Sequence, residues 1–140
     1  MYFFGDVHAA FKTYQWALEK MPLPGGSVGI SHSVQLGDFG IFNKYDLKQL
    51  KWLKNHPNAK FICGNHDDPD LYVKVRNCLG YHGYNAKNEI FWLGGGFSID
   101  FKYRTPEIDW WEGEELPLET LEKVIEHYGD VKPKIVISHE

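Results

Sequence analysis

Four times in this chain a short apolar run stops at a small residue and is followed at once by side chains able to hold a cation. Gly5 precedes Asp6 and His8, Gly37 precedes Asp38, Gly64 precedes Asn65 and His66, and Ser138 precedes His139. Short apolar runs bounded by such residues read as buried strands. In open parallel sheets, ligands bind beyond the carboxyl ends of the strands. Four separate segments would then deliver their polar residues to one rim.

The stretches between these runs supply the rest of an α/β pattern. After the strand Tyr2 to Phe4, Phe11, Tyr14, Leu18 and Met21 recur at helical spacing between Ala10 and Met21. Pro22, Pro24, Gly25 and Gly26 break that helix, and Val28 to Leu36 reads as mostly strand. Leu47, Leu50 and Leu53, with Trp52 beside them, form a second helical stripe that closes before Pro57. Lys60 to Cys63 is the third expected strand, and Pro69 to Asn77 a short helix with Pro in its first turn. Strand and helix alternate, which predicts a mainly parallel sheet flanked by helices.

Beyond residue 80 the pattern changes. Glu89 to Leu93 and Phe97 to Phe101, separated by three glycines, predict an antiparallel hairpin. Leu118 to Tyr128 is helical, with Gly129 as a stop signal, and Lys134 to Ser138 is a last strand. Neither a repeat nor a linker divides the chain, so one domain over residues 1–140 is expected.

Composition narrows the function classes. A 43% hydrophobic content in 140 residues suffices for a core. A formal net charge of -4 lacks the basic footprint of a nucleic-acid backbone binder, although nucleic acid held through metals remains a candidate substrate. The two cysteines, Cys63 and Cys78, are too few for a disulfide framework, which predicts a reduced, cytoplasmic setting. No apolar run approaches the roughly 18 residues that span a bilayer, so no membrane partner is expected.

The donor types define the chemistry. Carboxylates, imidazoles and an amide oxygen suit divalent metals such as Mn²⁺, Fe²⁺ or Zn²⁺. Backbone alternation puts Asp6 and His8 on one side of their segment. A carboxylate such as Asp38 has two oxygens and can bridge two cations at a separation of about 3.5 to 4 Å, and two such ions activate a shared water toward phosphate esters.

In order along the chain, GDVH, GDFG, GNHD and the later SH resemble the signature of the calcineurin-like metallophosphoesterase family. The resemblance implies that fold, completed in the family as a two-sheet sandwich, together with two divalent metal ions. It implies that Asp6 and His8 bind one metal, that Asp38 bridges both, and that Asn65 and His139 bind the second. It places His66 near the scissile phosphate as a catalytic residue, with Asp67 orienting its ring. The expected substrate is a phosphomonoester or phosphodiester: a phosphorylated small molecule or a nucleotide. The family's Gly-His-x-His motif, which adds one ligand to each metal, has no counterpart in these 140 residues. The Asp-Arg-Gly of its protein phosphatases is replaced here by Asp38-Phe39-Gly40, which argues against a phosphoprotein substrate. A second class of function, a binding scaffold on the same fold, predicts degraded motifs instead.

The glycine-rich segment from Gly94, followed by Arg104 and the pair Trp110 and Trp111, is similar to a pattern in bacterial and phage-type members that shapes the substrate side of the pocket. Arg104 is a candidate phosphate ligand, with a structural ion pair as its alternative. The tryptophans could stack on a base or pack in the core. Taken singly, each Gly-Asp could be a turn and Asn65 to Asp68 a helix cap. Cys63 reads as a small buried apolar residue.

Overall fold

The structure, a computed structural model, describes residues 1–139. Its frame is two three-stranded sheets. The first contains β1 (Tyr2–Phe4), β2 (Ser33–Gln35) and β3 (Ala59–Phe61), all parallel, with Phe4 opposite Gln35 and Gln35 opposite Phe61. Helix α1 (Phe11–Lys20) connects β1 to β2. Helix α2 (Lys44–Gln49), continued by a 3-10 turn over Leu50–Asn55, connects β2 to β3, and the short α3 (Pro69–Tyr72) follows. The second sheet has the order β4 (His82–Asn85), β5 (Ile90–Leu93), β6 (Ile135–Ser138). There β4 and β5 are antiparallel and β5 and β6 parallel, with α4 (Leu118–Val131) leading into β6.

Strand alternation sorts the apolar residues of the first sheet onto two cores. Ala59, Phe61 and Cys63 face the helices, where they join Phe11, Tyr14 and Leu18 of α1 and Leu50 and Leu53 of the 3-10 turn. Val34 and Ile62 face the other way and pack against Ile90 and Ile137 of the second sheet. Tyr14 reaches across the helix side to Phe4, edge to face at 5.0 Å, and its hydroxyl lies 3.2 Å from Ser33 Oγ. The mixed α/β fold expected from the sequence is therefore present, as a sandwich with a parallel sheet and flanking helices.

Several boundaries differ from the sequence expectation. The antiparallel hairpin is β4 with β5, and Phe97 to Phe101 is not its second strand but a loop entering a 3-10 turn at Phe101–Tyr103. The three glycines do not turn the chain back. Instead their amides donate outward, Gly94 to Tyr81, Gly95 to Cys63 and Gly96 to Glu114. Strand β4 was hidden because its sequence, His-Gly-Tyr-Asn, lacks a strand's apolar alternation. Its Gly83 is needed because a Cβ there would run into the Trp92 ring on β5.

Other shifts are smaller. The predicted strand at Val28 to Leu36 shortens to β2, since Val28 pairs back with Pro22 in an isolated bridge. Helix α3 stops at Tyr72 rather than Asn77, where the Asn77 side chain instead donates to the carbonyls of His56 and Ala59. Gly129 does not stop α4: the helix ends at Val131, and Lys132 takes the left-handed cap conformation with φ 44°.

Candidate metal centre

Asp6 and His8 leave β1 in the loop before α1, and Asp38 sits in the loop after β2. These loops are laced together by backbone bonds, because the amides of Val7 and His8 both donate to the Asp38 carbonyl, at 3.1 and 2.9 Å. The lacing holds His8 and Asp38 in left-handed backbone conformations, φ 42° and 53°. Such conformations cost energy outside glycine and persist where surrounding structure imposes them. The ligand-bearing atoms of Asp6, His8 and Asp38 lie within 4.8 Å of one another.

On the other flank of Asp38 stand residues from β3 and β6. Asn65 follows β3 through Gly64, a position where any Cβ would collide with the Asp38 backbone and carboxylate. His139 follows β6. Its Nε2 is 3.1 Å from Asp38 Oδ1 and 2.9 Å from Asn65 Oδ1. The four rim segments predicted from the sequence thus meet, with the buried Asp38 between them. Its Oδ2 faces His8 Nε2 at 3.8 Å and its Oδ1 faces His139.

The chemistry of the second group calls for positive charge. His139 Nδ1 lies 3.0 Å from the Leu36 carbonyl, which can only accept, so Nδ1 carries the proton. In the neutral ring Nε2 is then a lone pair, pointed at two further acceptor oxygens. Only positive charge reconciles the three, supplied by a proton on Nε2 or by a metal ion. Burial pulls the His139 pKa down, but the Asp38 carboxylate outweighs it and the net shift is upward. Burial likewise raises Asp38, yet His139 and the His66 amide, which donates to Oδ1 at 3.0 Å, bring its pKa below the usual value. The oxygen and nitrogen donors of both flanks fit a divalent metal.

His66 is on the same rim, with Nε2 3.8 Å from Asp38 Oδ2 and its ring 5.5 Å from that of His8. Asp67 is not beside that ring. Its buried carboxylate accepts four backbone amides, those of Phe39 at 3.0 Å, Gly40 at 2.7 Å, Ile41 at 3.0 Å and Gly64 at 3.0 Å. With both oxygens taken, it cannot orient His66, which corrects the catalytic role expected of it. Burial pushes its pKa up against the pull of those four donors. Asp67 clamps the Asp38 loop to the Asn65 loop.

Arg104 does reach the site, and it also makes the ion pair that was its alternative. Its Nε is 2.7 Å from Asp100, and its terminal nitrogens lie against the His66 ring, Nη2 at 2.6 Å from Nε2. Arg104, Phe97 and Ile99 share with Asp38, Asn65 and His139 the wall of a cavity of about 950 Å³. Trp111 is buried and stacked on Phe42, 6.1 Å between ring centres, so it packs rather than faces a ligand. Cys63 is fully buried, with its thiol pushed up to about 12 by desolvation, as a buried apolar residue should be. Two residues at the site were missed. Ser98 and Glu114 are buried beside Asn65, Ser98 Oγ accepting from Asn65 Nδ2 at 3.0 Å and donating to Glu114 Oε2 at 2.6 Å. Ser98 stood out only as a polar residue in an apolar, glycine-rich stretch, and Glu114 was hidden among the neighbouring acidic residues Glu112 and Glu115.

A family model described as calcineurin-like phosphoesterase matches residues 1–140. The chain belongs to the calcineurin-like phosphoesterase family. This match spans the whole sequence, so the resemblance carried by GDVH, GDFG, GNHD and SH holds over all of it. Comparison with curated proteins and with solved structures gave no match. A calcineurin-like phosphoesterase hydrolyses phosphoesters with the help of divalent metals, and the Asp6, His8 and Asp38 group is a candidate site for such an ion. No helix among the described residues is long and apolar enough to cross a membrane.

Proposed function

We propose that this chain hydrolyses a phosphate monoester or diester at a dinuclear centre of Mn²⁺, Fe²⁺ or Zn²⁺. One ion would be held by Asp6, His8 and Asp38, the other by Asp38, Asn65 and His139. The observation that carries this reading is the placement of Asp38, whose two carboxylate oxygens face the two flanks separately, Oδ2 toward His8 and Oδ1 toward His139. When bound, two such cations supply Lewis-acid charge to the phosphate and lower the pKa of an attacking water.

The remaining parts belong to the protein. Arg104 turns a guanidinium edge into the cavity, where a phosphate oxygen would exchange for its contact with His66. His66 stands on the rim, within reach of a leaving-group oxygen once that contact is released, and acts as hydrogen-bond donor or general acid to it. Phe97 and Ile99 add apolar surface to the cavity lining that suits the organic part of a phosphorylated small molecule or nucleotide in the cytoplasm. Asp6, His8, Asp38, Asn65 and His66 are intact in the sequence, which favours an enzyme over a scaffold.

Release of p-nitrophenol from p-nitrophenyl phosphate and bis(p-nitrophenyl) phosphate tests the reading, with and without added Mn²⁺. Metal-dependent turnover is expected, and Asp38→Asn should abolish it. Equal release by wild type and Asp38→Asn would sink it.

A further inference from the structure

Resting on the dinuclear reading above, we propose that Glu114 is a positioning residue which, through Ser98, makes Asn65 present its oxygen rather than its NH₂ to the second metal. The three side chains are almost fully buried, at 3% exposure for Glu114, 1% for Ser98 and 7% for Asn65, so water does not substitute for any partner. Ser98 has two donors, and both end on Glu114: its amide on Oε1 at 2.8 Å and its hydroxyl on Oε2 at 2.6 Å. Only a carboxylate offers two acceptor oxygens in that place.

The direction of one proton then decides the rest. Because the Ser98 hydroxyl donates to Glu114, Oγ turns lone pairs toward Asn65, and only a donor can face them. Asn65 Nδ2 does so at 3.0 Å, and Oδ1 is left on the far side of the amide, 2.9 Å from His139 Nε2. A flipped amide would oppose oxygen to Ser98 Oγ and aim NH₂ at the site, where it could not ligate. Glu114 is held at its post by its own backbone, whose carbonyl accepts from Gly96 at 3.1 Å, and by the Tyr81 hydroxyl, which donates to the Gly113 carbonyl.

A glutamine at 114 has one acceptor for two donors. Its NH₂ would donate to Ser98 Oγ, releasing the hydroxyl proton toward Asn65 and favouring the flipped amide. An aspartate at 65 would accept that proton and still show an oxygen to the metal, while restoring the original charge. Glu114→Gln should therefore cost metal affinity when residue 65 is asparagine and little or none when it is aspartate.

Calorimetric titration of the metal-free chain with Mn²⁺ decides the matter, with folding checked by circular dichroism. Two ions are expected for wild type. In Glu114→Gln one of them should bind about 10- to 100-fold more weakly, the range for loss of an outer partner of a metal ligand. Ser98→Ala should do the same without touching the carboxylate, and the double variant, Asn65→Asp with Glu114→Gln, should bind at least as tightly as Asn65→Asp alone. Because an anionic ligand at 65 strengthens metal binding by itself, the double variant is compared with Asn65→Asp alone: a carboxylate that merely packs the loop would cost the same affinity with either residue at 65. Unchanged affinity in both Glu114→Gln and Ser98→Ala, or the same loss from Glu114→Gln whether residue 65 is asparagine or aspartate, would overturn the assignment alone. Wild type taking up no Mn²⁺ would overturn the dinuclear reading and this assignment with it.

Discussion

His66 and Asp67 are adjacent in the chain, and their side chains have unrelated surroundings. His66 sits on the cavity wall with its ring against Arg104, whereas Asp67 is 1% exposed and bonded to four amides from two loops. Replacing each by alanine should separate the two roles. His66→Ala is expected to lower kcat by about 10²- to 10⁴-fold, the usual contribution of a positioned acid or base, while Mn²⁺ affinity changes little. Equal loss of metal, read by elemental analysis, would refute that placement. Asp67→Ala leaves four amides without their acceptor in the interior and should destabilise the fold by about 3–5 kcal/mol, read as the shift of a denaturant midpoint. Stability within about 0.5 kcal/mol of wild type would show that the clamp is dispensable.

At the scale of elements, the rim depends on an ion pair between the loop after β2 and the end of β6. Asp38 has a folded-state pKa below its usual 3.8, so its contribution is complete above that value and is lost as pH falls through the lower folded one. His139 has a folded-state pKa above its usual 6.5, so its contribution is complete below 6.5 and is lost as pH rises through the higher folded one. The metal-free chain should therefore be most stable in the window between, with stability declining on both sides. Thermal unfolding in a chelator from about pH 3 to about pH 9 would trace the two limbs, and Asp38→Asn should flatten both. A variant with the same profile as wild type would place the pH dependence elsewhere.

The whole molecule is joined across two sheets, and the centre lies at their common rim. Asp6, His8, Asp38 and Asn65 follow strands of the first sheet, and His139 follows β6 of the second. An ion held by Asp38, Asn65 and His139 would tie the two sheets together, and its binding would then be linked to stability. At a free Mn²⁺ concentration of about 100 times Kd, one site adds about 2.7 kcal/mol. Melting should shift upward with Mn²⁺ in wild type, less in Asp38→Asn, and return to its starting point on chelation. No shift in wild type at saturating Mn²⁺ would contradict a site spanning the sheets.

Local pattern alone determined much of this protein. Strand runs ending at Gly5, Gly37 and Gly64 announced both the parallel sheet and the residues after it, because strands alternating with helices pack side by side and end on one rim, whereas the run ending at Ser138 belongs to the second sheet and reaches that rim only through tertiary packing. The helices were legible for the same reason, their apolar residues recurring at the helical period. Strand β4 was not, since Gly83 is there for the Trp92 ring opposite, a contact that no local pattern records. Nor were the roles of Asp67, Ser98 and Glu114, whose partners lie 16 to 33 residues away or are backbone amides that any residue carries. Which acceptor faces which donor is settled only when the loops pack and exclude water, and that is a property of the tertiary structure.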